Sequence, residues 1–149
     1  MAHVELSWTE SSIEPLQRTP QWNSVDRWST VVDSAHEPCM VIDSYANIVS
    51  LSESGSLLLG FAPPRSAIGV CLFDRTLPLL DFTSEGGDLS VDEIQRIPPI
   101  LALTSGLLAR GVLRIRTADD VTTMDAVSTP LLDHNEAIVG SMTFFCVVS

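Results

Sequence analysis

Apolar and polar residues alternate along residues 112–148, and this alternation predicts three antiparallel strands. The last run, Ala137 to Val148, is rich in β-branched and aromatic residues. Polar groups at 118–120 and 133–136 stand where the chain has to reverse, as tight turns require. A three-stranded meander therefore closes the chain, and the sequence before it has to supply the partners of that meander.

The pattern before the meander predicts one helix and one hairpin. Residues 25–32 place apolar side chains at helical spacing, which indicates a short amphipathic helix. Pro38 ends this region, because the residue before a proline is pushed out of the helical conformation. Two apolar runs, Cys39–Asp43 and Ile48–Leu51, flank the polar turn 44–47 and predict a β-hairpin.

Helical signals fill the middle of the chain. Ser52 can cap a helix of about two turns that Gly60 ends. After a polar loop, residues 91–97 begin a helix with acidic residues in its first turn. The pair Pro98-Pro99 is expected to interrupt it, and a second helix is expected over 100–110. The interruption is a candidate entrance or lid for a space beneath the helices.

Short motifs occur at set places in this order of elements. They are Leu59-Gly60-Phe61 at the end of a short helix, Gly69-x-x-Leu72-Phe73-Asp74 after it, and Pro130-Leu131-Leu132-Asp133 before Ile138-Val139-Gly140. In order and spacing, the segment from Val25 to Val148 resembles the PAS sensory domain. The resemblance implies an α+β fold in which a five-stranded antiparallel PAS-like sheet carries helices on one face, encloses a small cavity, and follows an N-terminal arm and helix.

The turns depart from the pattern of that family. Ala46, Asp120 and Glu136 stand where glycine is usual. Their neighbours Asn47, Asp119 and Asn135 are expected to take left-handed backbone angles instead, because Asn and Asp tolerate that region better than other side chains. The turns are therefore expected to keep their form.

The cavity that the resemblance implies is expected to be apolar. Its predicted lining consists of Val41, Leu57, Leu58, Phe73, Leu101, Leu107, Leu113, Met124, Met142 and Phe144. Such a cavity would bind a small ligand and shift the domain between two conformations.

Residues 1–24 have no sustained period and are interpreted as an N-terminal arm before a domain at 25–149. Disordered tails are poor in large aromatic residues, so an arm with two tryptophans is expected to dock on a surface. Together with the first helix it would leave apolar area that favours a homodimer. The predicted interface consists of Trp8, Trp22, Val25, Trp28 and Val32. The alternative is that the tryptophans fold back onto the sheet of their own chain.

Composition narrows the class of protein. At 149 residues and 45% hydrophobic positions, one domain with a proper core is expected. The formal net charge of -11 disfavours unaided binding to nucleic acid or to anionic lipid. No apolar run is long enough to span a membrane, which favours a cytoplasmic protein. Cys39, Cys71 and Cys146 lie far apart in apolar surroundings, as buried thiols in a reducing compartment do.

Cofactor signals are weak. A haem sensor of this family would need an axial histidine near the long helix, whereas residues 91–117 contain none and His3, His36 and His134 fall in the arm or in turns. A flavin photoreceptor places its reactive cysteine between Asn and Arg, and Cys71 has neither neighbour. Haem and flavin are both disfavoured, no metal cluster is visible, and the identity of any cofactor stays open.

The sequence favours a stand-alone cytoplasmic PAS-type sensor, a bacterial-type regulator in signal transduction. It would bind a small apolar ligand, a protein partner or both, form a homodimer, and have no enzymatic activity. One alternative is a small α+β pocket enzyme with Asp74 or Asp125 as the base, which requires a carboxyl with a raised pKa. The other is a ligand-free scaffolding protein.

Overall fold

A curled antiparallel sheet of six strands, in the order β2-β1-β6-β5-β4-β3, organises the chain. The computed structural model describes residues 24–74, 79–80, 87–116 and 120–148. The strands are β1 (Cys39–Asp43), β2 (Ile48–Leu51), β3 (Leu79–Leu80), β4 (Ala109–Arg116), β5 (Val121–Leu132) and β6 (Ile138–Val147). The expected hairpin and meander are confirmed.

The first strand lies beside the last. Cys39 is paired with Phe144 and Asp43 with Gly140, so β1 joins the hairpin to the meander along its full length. The expectation of five strands is wrong by one, because Leu79 and Leu80 pair with Ile115 and Arg114 at the edge of β4. A strand of two residues is too short for its side chains to show an alternating pattern.

The helices are α1 (Ser24–Asp33), α2 (Glu53–Leu59), α3 (Val91–Ile94) and α4 (Pro98–Ser105), with 3-10 turns at Pro64–Ala67 and Leu72–Asp74. Two helices separated at residues 95–97 are present as expected, but the second begins at Pro98 and not at Ile100. Proline suits the first helical turn, where no intrahelical N–H bond is needed. The helix ends at Gly106, whose φ is 73°, and not at Gly111. Residues 109–110 therefore belong to β4 and not to a helix.

The central helices lie on one face of the sheet, as expected, and the N-terminal helix α1 lies on the other. Helix α4 packs on the concave face of β4, β5 and β6, whereas α1 packs on the opposite, outer face against β1, β2 and β6. Val25 and Val32 of α1 form an apolar cluster there with Val41, Leu131 and Met142. The amphipathic stripe of α1 thus faces its own sheet.

Gly140 fixes how closely α1 and β1 approach β6. A Cβ at this position would lie 2.2 Å from the carbonyl oxygen of Ile42 and 2.9 Å from Cγ2 of Val25. Real side chains do not come that close to a backbone oxygen, so residue 140 has to be glycine for these elements to pack.

The two Asp turns share one geometry. The Oδ1 of Asp43 accepts the N–H groups of residues 45 and 47, and the Oδ1 of Asp133 accepts those of residues 135 and 137. In each turn the third residue after the aspartate, Ala46 or Glu136, has φ 65°. The expectation that Asn47 and Asn135 take these angles is therefore wrong: the aspartate hydrogen bonds hold the turn, and the residue at the glycine position takes the strain.

Candidate functional site

An apolar hollow with buried lining residues lies between the concave face of the sheet and the helices. Its lining consists of Met40, Leu59, Leu72, Leu79, Ile97, Pro99, Leu113, Met124 and Phe145. All of these side chains are apolar, and the volume is about 10 Å³. That is room for about one water molecule, so the hollow is nearly filled by its own side chains.

Strand register brings the lining together. Leu113 of β4 is paired directly with Met124 of β5, and both point to the concave side. Helix α4 closes this side, and Gly111 lets it approach, because a Cβ there would be 3.2 Å from Cγ of Pro98. The hollow is thus formed where a helix begun by two prolines crosses the sheet.

A buried polar row borders the hollow on the same face. Ser128 of β5 and Thr143 of β6 are paired across the strands, and their hydroxyl oxygens are 2.6 Å apart. The hydroxyl of Ser141 donates to the carbonyl oxygen of Pro99 over 2.8 Å, which ties α4 to β6. Among the described residues, no buried side-chain polar atom lacks a partner. The sequence analysis did not identify this row, although Ser141 and Thr143 share the two-residue spacing of Phe145 on one face of β6.

Of the predicted lining residues, Leu113 and Met124 line the hollow, and Leu58 packs against the same core. Val41 and Met142 do not reach it, since they lie in the outer cluster beneath α1. Successive strand residues point to opposite faces, so their neighbours Met40 and Ser141 take the inner positions.

The other predicted lining residues are exposed. Leu57, Leu101, Leu107 and Phe144 have exposed fractions of 67%, 41%, 69% and 42%. Leu57 and Leu101 lie on the solvent sides of α2 and α4, Leu107 follows the end of α4, and Phe144 points out from β6 opposite Cys39. Their inclusion in the lining is wrong, because apolar character alone does not give the orientation of a residue.

Phe73 lines two open grooves instead. One, of about 290 Å³, is bounded by Ser44, Tyr45, Ala46, Phe73, Ile100, Leu103, Thr104 and Ile138. The other, of about 460 Å³, adds Asp92, Gln95 and Arg96 to Phe73, Ile100 and Thr104. Both grooves lie along α4, outside the apolar hollow.

The predicted interface residues separate into three groups. Val25 and Val32 are buried against their own sheet and are not available to a second subunit. Trp28 has an exposed fraction of 40%. Trp8 and Trp22 lie outside the described residues. An interface that includes Trp8, Trp22 and Trp28 stays a prediction.

The two candidate bases lack the setting of a catalytic carboxyl. Asp125 faces outward from β5, and its carboxylate binds the Arg110 guanidinium, with Nε 3.1 Å from Oδ2. This hydrogen bond from Arg110 holds the pKa of Asp125 below its usual value. Asp74 is exposed at the end of a 3-10 turn. A base that works near neutral pH needs the opposite shift.

The three cysteine side chains differ in exposure. Cys39 is buried, Cys71 is half-buried and Cys146 is exposed, and all three are free. Burial raises the pKa of Cys39, and Glu37 adds to this, whereas a hydrogen bond with Ser52 acts in the other direction. Within the described ranges, no group of three potential metal ligands occurs, and no helix is long and apolar enough to cross a membrane.

Comparison of the sequence with protein-family models gives no match, and comparison with curated proteins gives none. Solved structures do match. The PAS domain of a protein from Colwellia psychrerythraea is similar at TM-score 0.58 and 16% identity, over 82% of this chain and 94% of that one. A light-oxygen-voltage domain gives TM-score 0.58 at 19% identity, over 83% and 85% of the two chains. The chain has a PAS fold.

A further match, the VqmA dimer of Vibrio cholerae, has TM-score 0.61 and 15% identity over 83% of this chain. The chain spans only 51–57% of the matched VqmA chains. One VqmA structure is bound to DPO, and another is a complex with a ligand and DNA. The expectation that excluded nucleic acid as a partner is therefore wrong. Proteins that contain this PAS fold include a DNA-bound one, so the net charge of the PAS domain does not decide whether the whole protein binds nucleic acid. The expected homodimer is compatible with the VqmA dimer and stays a prediction.

Proposed function

We propose that this PAS-fold chain is a sensory module that takes a small apolar ligand into the apolar hollow and passes the resulting conformational change to a protein partner. The observation that carries the proposal is the lining of the hollow, in which every side chain is apolar and comes from the sheet, from α2, from the 3-10 turn Leu72–Asp74 or from the start of α4. Hydrophobic pockets with few polar groups are typical small-molecule sites. In the same fold, VqmA binds DPO, and light-oxygen-voltage domains are studied with a flavin analogue.

A ligand would have to enlarge the hollow, which has only about 10 Å³ of free volume. Met40 and Met124 are suited to this because unbranched thioether side chains repack readily. Leu79 is the third movable part, since its strand β3 is held by two register pairs at the sheet edge. Ligand entry would therefore push on the sheet edge and on α4.

The hydrogen bond between Ser141 and Pro99 gives a route out of the hollow. Pro99 lines the hollow, and its carbonyl oxygen accepts the Ser141 hydroxyl of β6. A ligand that shifts α4 would either break this hydrogen bond or, if the bond holds, move β6 together with α4. Strand β6 contacts α1 on its other face. The proposed output is thus a change at the outer face of the sheet.

Titration with indole, followed by calorimetry, tests the site. Leu113→Ala enlarges the hollow and is expected to strengthen indole binding, whereas Met124→Trp fills it and should abolish binding. Val112→Ala is the matched control, since Val112 neighbours Leu113 on β4 but points outward with an exposed fraction of 47%. Equal indole affinity in all three variants, or none even for Leu113→Ala, would rule out a ligand site in the hollow.

A second candidate is an interaction module without a ligand, which the nearly filled hollow favours. Native mass spectrometry and an absorption spectrum of freshly purified protein separate the two. A bound mass or chromophore supports sensing, and a bare colourless chain supports the interaction module.

We also propose that the chain is not an enzyme and works in the cytoplasm. The low pKa of Asp125 and the exposure of Asp74 support the first point. The free, exposed Cys146 supports the second, because such a thiol stays reduced in a reducing compartment. Formation of a disulfide-linked dimer through Cys146 during expression in cytosol would count against that placement.

A further inference from the structure

The two open grooves along α4 join into one, which we call the α4 groove. Phe73, Ile100 and Thr104 line both, so the space of about 290 Å³ beside the hairpin turn continues into the space of about 460 Å³ beside α3. The α4 groove shares no lining residue with the apolar hollow. Spaces of this size are typical of sites that hold a ligand or the side chains of a partner.

The middle of the α4 groove is apolar and reaches solvent. Phe73 has an exposed fraction of 38%, and Tyr45 on the hairpin turn has one of 79%. The other apolar side chains of the lining beside the hairpin turn are Ala46, Ile100, Leu103 and Ile138. The hydroxyl of Thr104 donates to the carbonyl oxygen of Ile100 over 3.1 Å, so it makes its hydrogen bond within α4. Large exposed apolar side chains along an open groove are typical of a binding surface.

Three segments meet at one end of the α4 groove, which we call its hairpin end. They are the turn after β1, the 3-10 turn Leu72–Asp74 and the turn before β6. The N–H group of Leu72 donates to the carbonyl oxygen of Ala46, which joins the first two segments. Asp43 is paired with Gly140 of β6, so the third segment lies at the same end of the sheet as the first.

The hairpin end is acidic. Residues 43–47, 71–74 and 133–138 contain no lysine or arginine, and their acidic residues are Asp43, Asp74, Asp133 and Glu136. Asp43 and Asp133 hold their turns, whereas Asp74 and Glu136 are exposed and lie within two residues of the lining residues Phe73 and Ile138. The other end, at α3, has Asp92 and Arg96 in its lining and is balanced in charge. The occupant should therefore be apolar in the middle and basic over the hairpin end.

We propose that the α4 groove docks a basic amphipathic helix of a protein partner. Its apolar side chains pack on Phe73 and Tyr45, and its lysine or arginine side chains lie over the hairpin end. Except for Ile138, the lining belongs to helices and turns, which cannot pair with an extended peptide as a strand edge does. A helix satisfies its own backbone hydrogen bonds and needs only an apolar groove.

A second copy of this chain does not fit the α4 groove as well. Its formal net charge of -11 would bring like charge to the acidic hairpin end. The partner is therefore a different protein with a basic segment. The inference goes beyond the proposed ligand site and does not depend on it, because the α4 groove is open while the hollow is nearly filled.

A synthetic helix tests the inference on the full chain. The probe is a fluorescein-labelled peptide of about 18 leucine and lysine residues, with the leucines on one face of the helix. Fluorescence anisotropy measures its affinity. A matched peptide has glutamate at every lysine position. We expect the lysine peptide to bind and the glutamate peptide not to bind, because like charges at the hairpin end repel the second one.

Variants of the α4 groove locate the binding. Phe73→Ser should weaken binding of the lysine peptide by about tenfold or more, because buried aromatic anchors dominate interface energies. Phe144→Ser is the matched control, since Phe144 has a similar exposed fraction of 42% but points out from the opposite face of the sheet. Thr104→Arg keeps the test decisive if Phe73→Ser does not fold. Thr104 is exposed on α4, and an arginine there should fill the groove, repel the lysines and weaken binding as strongly.

Paired charge variants separate the hairpin end from the net charge of the chain. Asp74→Asn with Glu136→Gln should weaken binding by about threefold or more. Glu37→Gln with Glu53→Gln makes the same change in net charge and should bind as the original chain does. Glu37 precedes β1 and Glu53 begins α2, at the opposite end of β1 from the hairpin turn.

Three results would overturn the inference. The first is an unchanged affinity in both Phe73→Ser and Thr104→Arg. The second is equal weakening by the two charge pairs, because the peptide would then respond to net charge alone. The third is loss of peptide binding in Leu113→Ala, which alters the hollow and not the α4 groove. Since no ligand of the hollow enters the experiment, its outcome is separate from that of the indole titration.

Discussion

The hydroxyl of Ser141 donates a 2.8 Å hydrogen bond to the carbonyl oxygen of Pro99, across 42 residues of sequence. Both groups are buried, and Pro99 is in the first turn of α4, directly above the hollow. Helix α4 is therefore fixed to β6 by a directional contact as well as by apolar packing. This contact gives the first prediction.

Replacing Ser141→Ala should lower the free energy of unfolding by about 1–3 kcal/mol, because the buried carbonyl of Pro99 loses its donor. Urea titration at 25 °C measures the change. Ser66→Ala is the control, since the Ser66 hydroxyl donates a similar 2.7 Å bond to a carbonyl, that of Pro63, on the exposed surface. A Ser141→Ala variant as stable as the Ser66→Ala control would show that the contact between α4 and β6 contributes little.

The pair Ser128 and Thr143 predicts non-additive mutations. Ser128→Ala or Thr143→Val alone leaves one buried hydroxyl without its partner 2.6 Å away and should cost about 1–3 kcal/mol. The double variant removes both polar groups and should be nearly as stable as the original chain. A double-mutant cycle from urea titrations measures the coupling. Additive losses in the free energy of unfolding would mean that water replaces the missing hydroxyl as hydrogen-bond partner in each single variant.

The strained turn at Glu136 predicts a stabilising change. Glu136 has φ 65° and is exposed, so Glu136→Gly relieves the left-handed strain and should raise the free energy of unfolding by about 0.5–1 kcal/mol after the entropic cost of glycine. Ala46 has the same φ but is fully buried. Ala46→Gly should gain less or lose stability, because burying a methyl group contributes about 0.8 kcal/mol. Thermal unfolding of both variants provides the comparison, and a larger gain at residue 46 would contradict it.

The ion pair of Arg110 and Asp125 predicts a pH-dependent difference. The pKa of Asp125 is lowered in the folded chain from 3.8, so the pair contributes fully above the unfolded pKa, and its contribution is lost as the pH falls through the folded value. Asp125→Asn should therefore be less stable than the original chain at pH 7, and the two should converge as the pH falls below the lowered pKa of Asp125 in the folded chain. Arg110 is exposed, so the difference should be small and should shrink in salt. A stability gap that is unchanged at acid pH would show that the pair is not its cause.

Alternation was a sound guide for the β1–β2 hairpin and for the meander, because tight turns fix the order of neighbouring strands. It gave no guide to the faces of β1, in which Cys39, Met40, Val41 and Ile42 are all buried. A strand covered on both sides is apolar at every position. Which of its residues face which side of the sheet can therefore be assigned only once its partner strands are known. Val41 was for this reason assigned to the wrong side.

The inner and outer faces of β6 were assigned wrongly for a different reason. Its inner row, Ser141, Thr143 and Phe145, is more polar than its outer row, which includes Met142 and Phe144. An analysis that ranks residues by hydrophobicity selects the outer row. The inner hydroxyls are buried at little cost because each has a hydrogen-bond partner, and a partner 42 residues away cannot be found from local spacing.

Met40 and Val41 are consecutive residues, yet Met40 lines the hollow and Val41 packs in the cluster beneath α1. A single layer of polypeptide, strand β1, thus separates the hollow from α1. A displacement of the Met40 side chain by a guest molecule would need to travel through only one peptide unit to be felt by the helix outside.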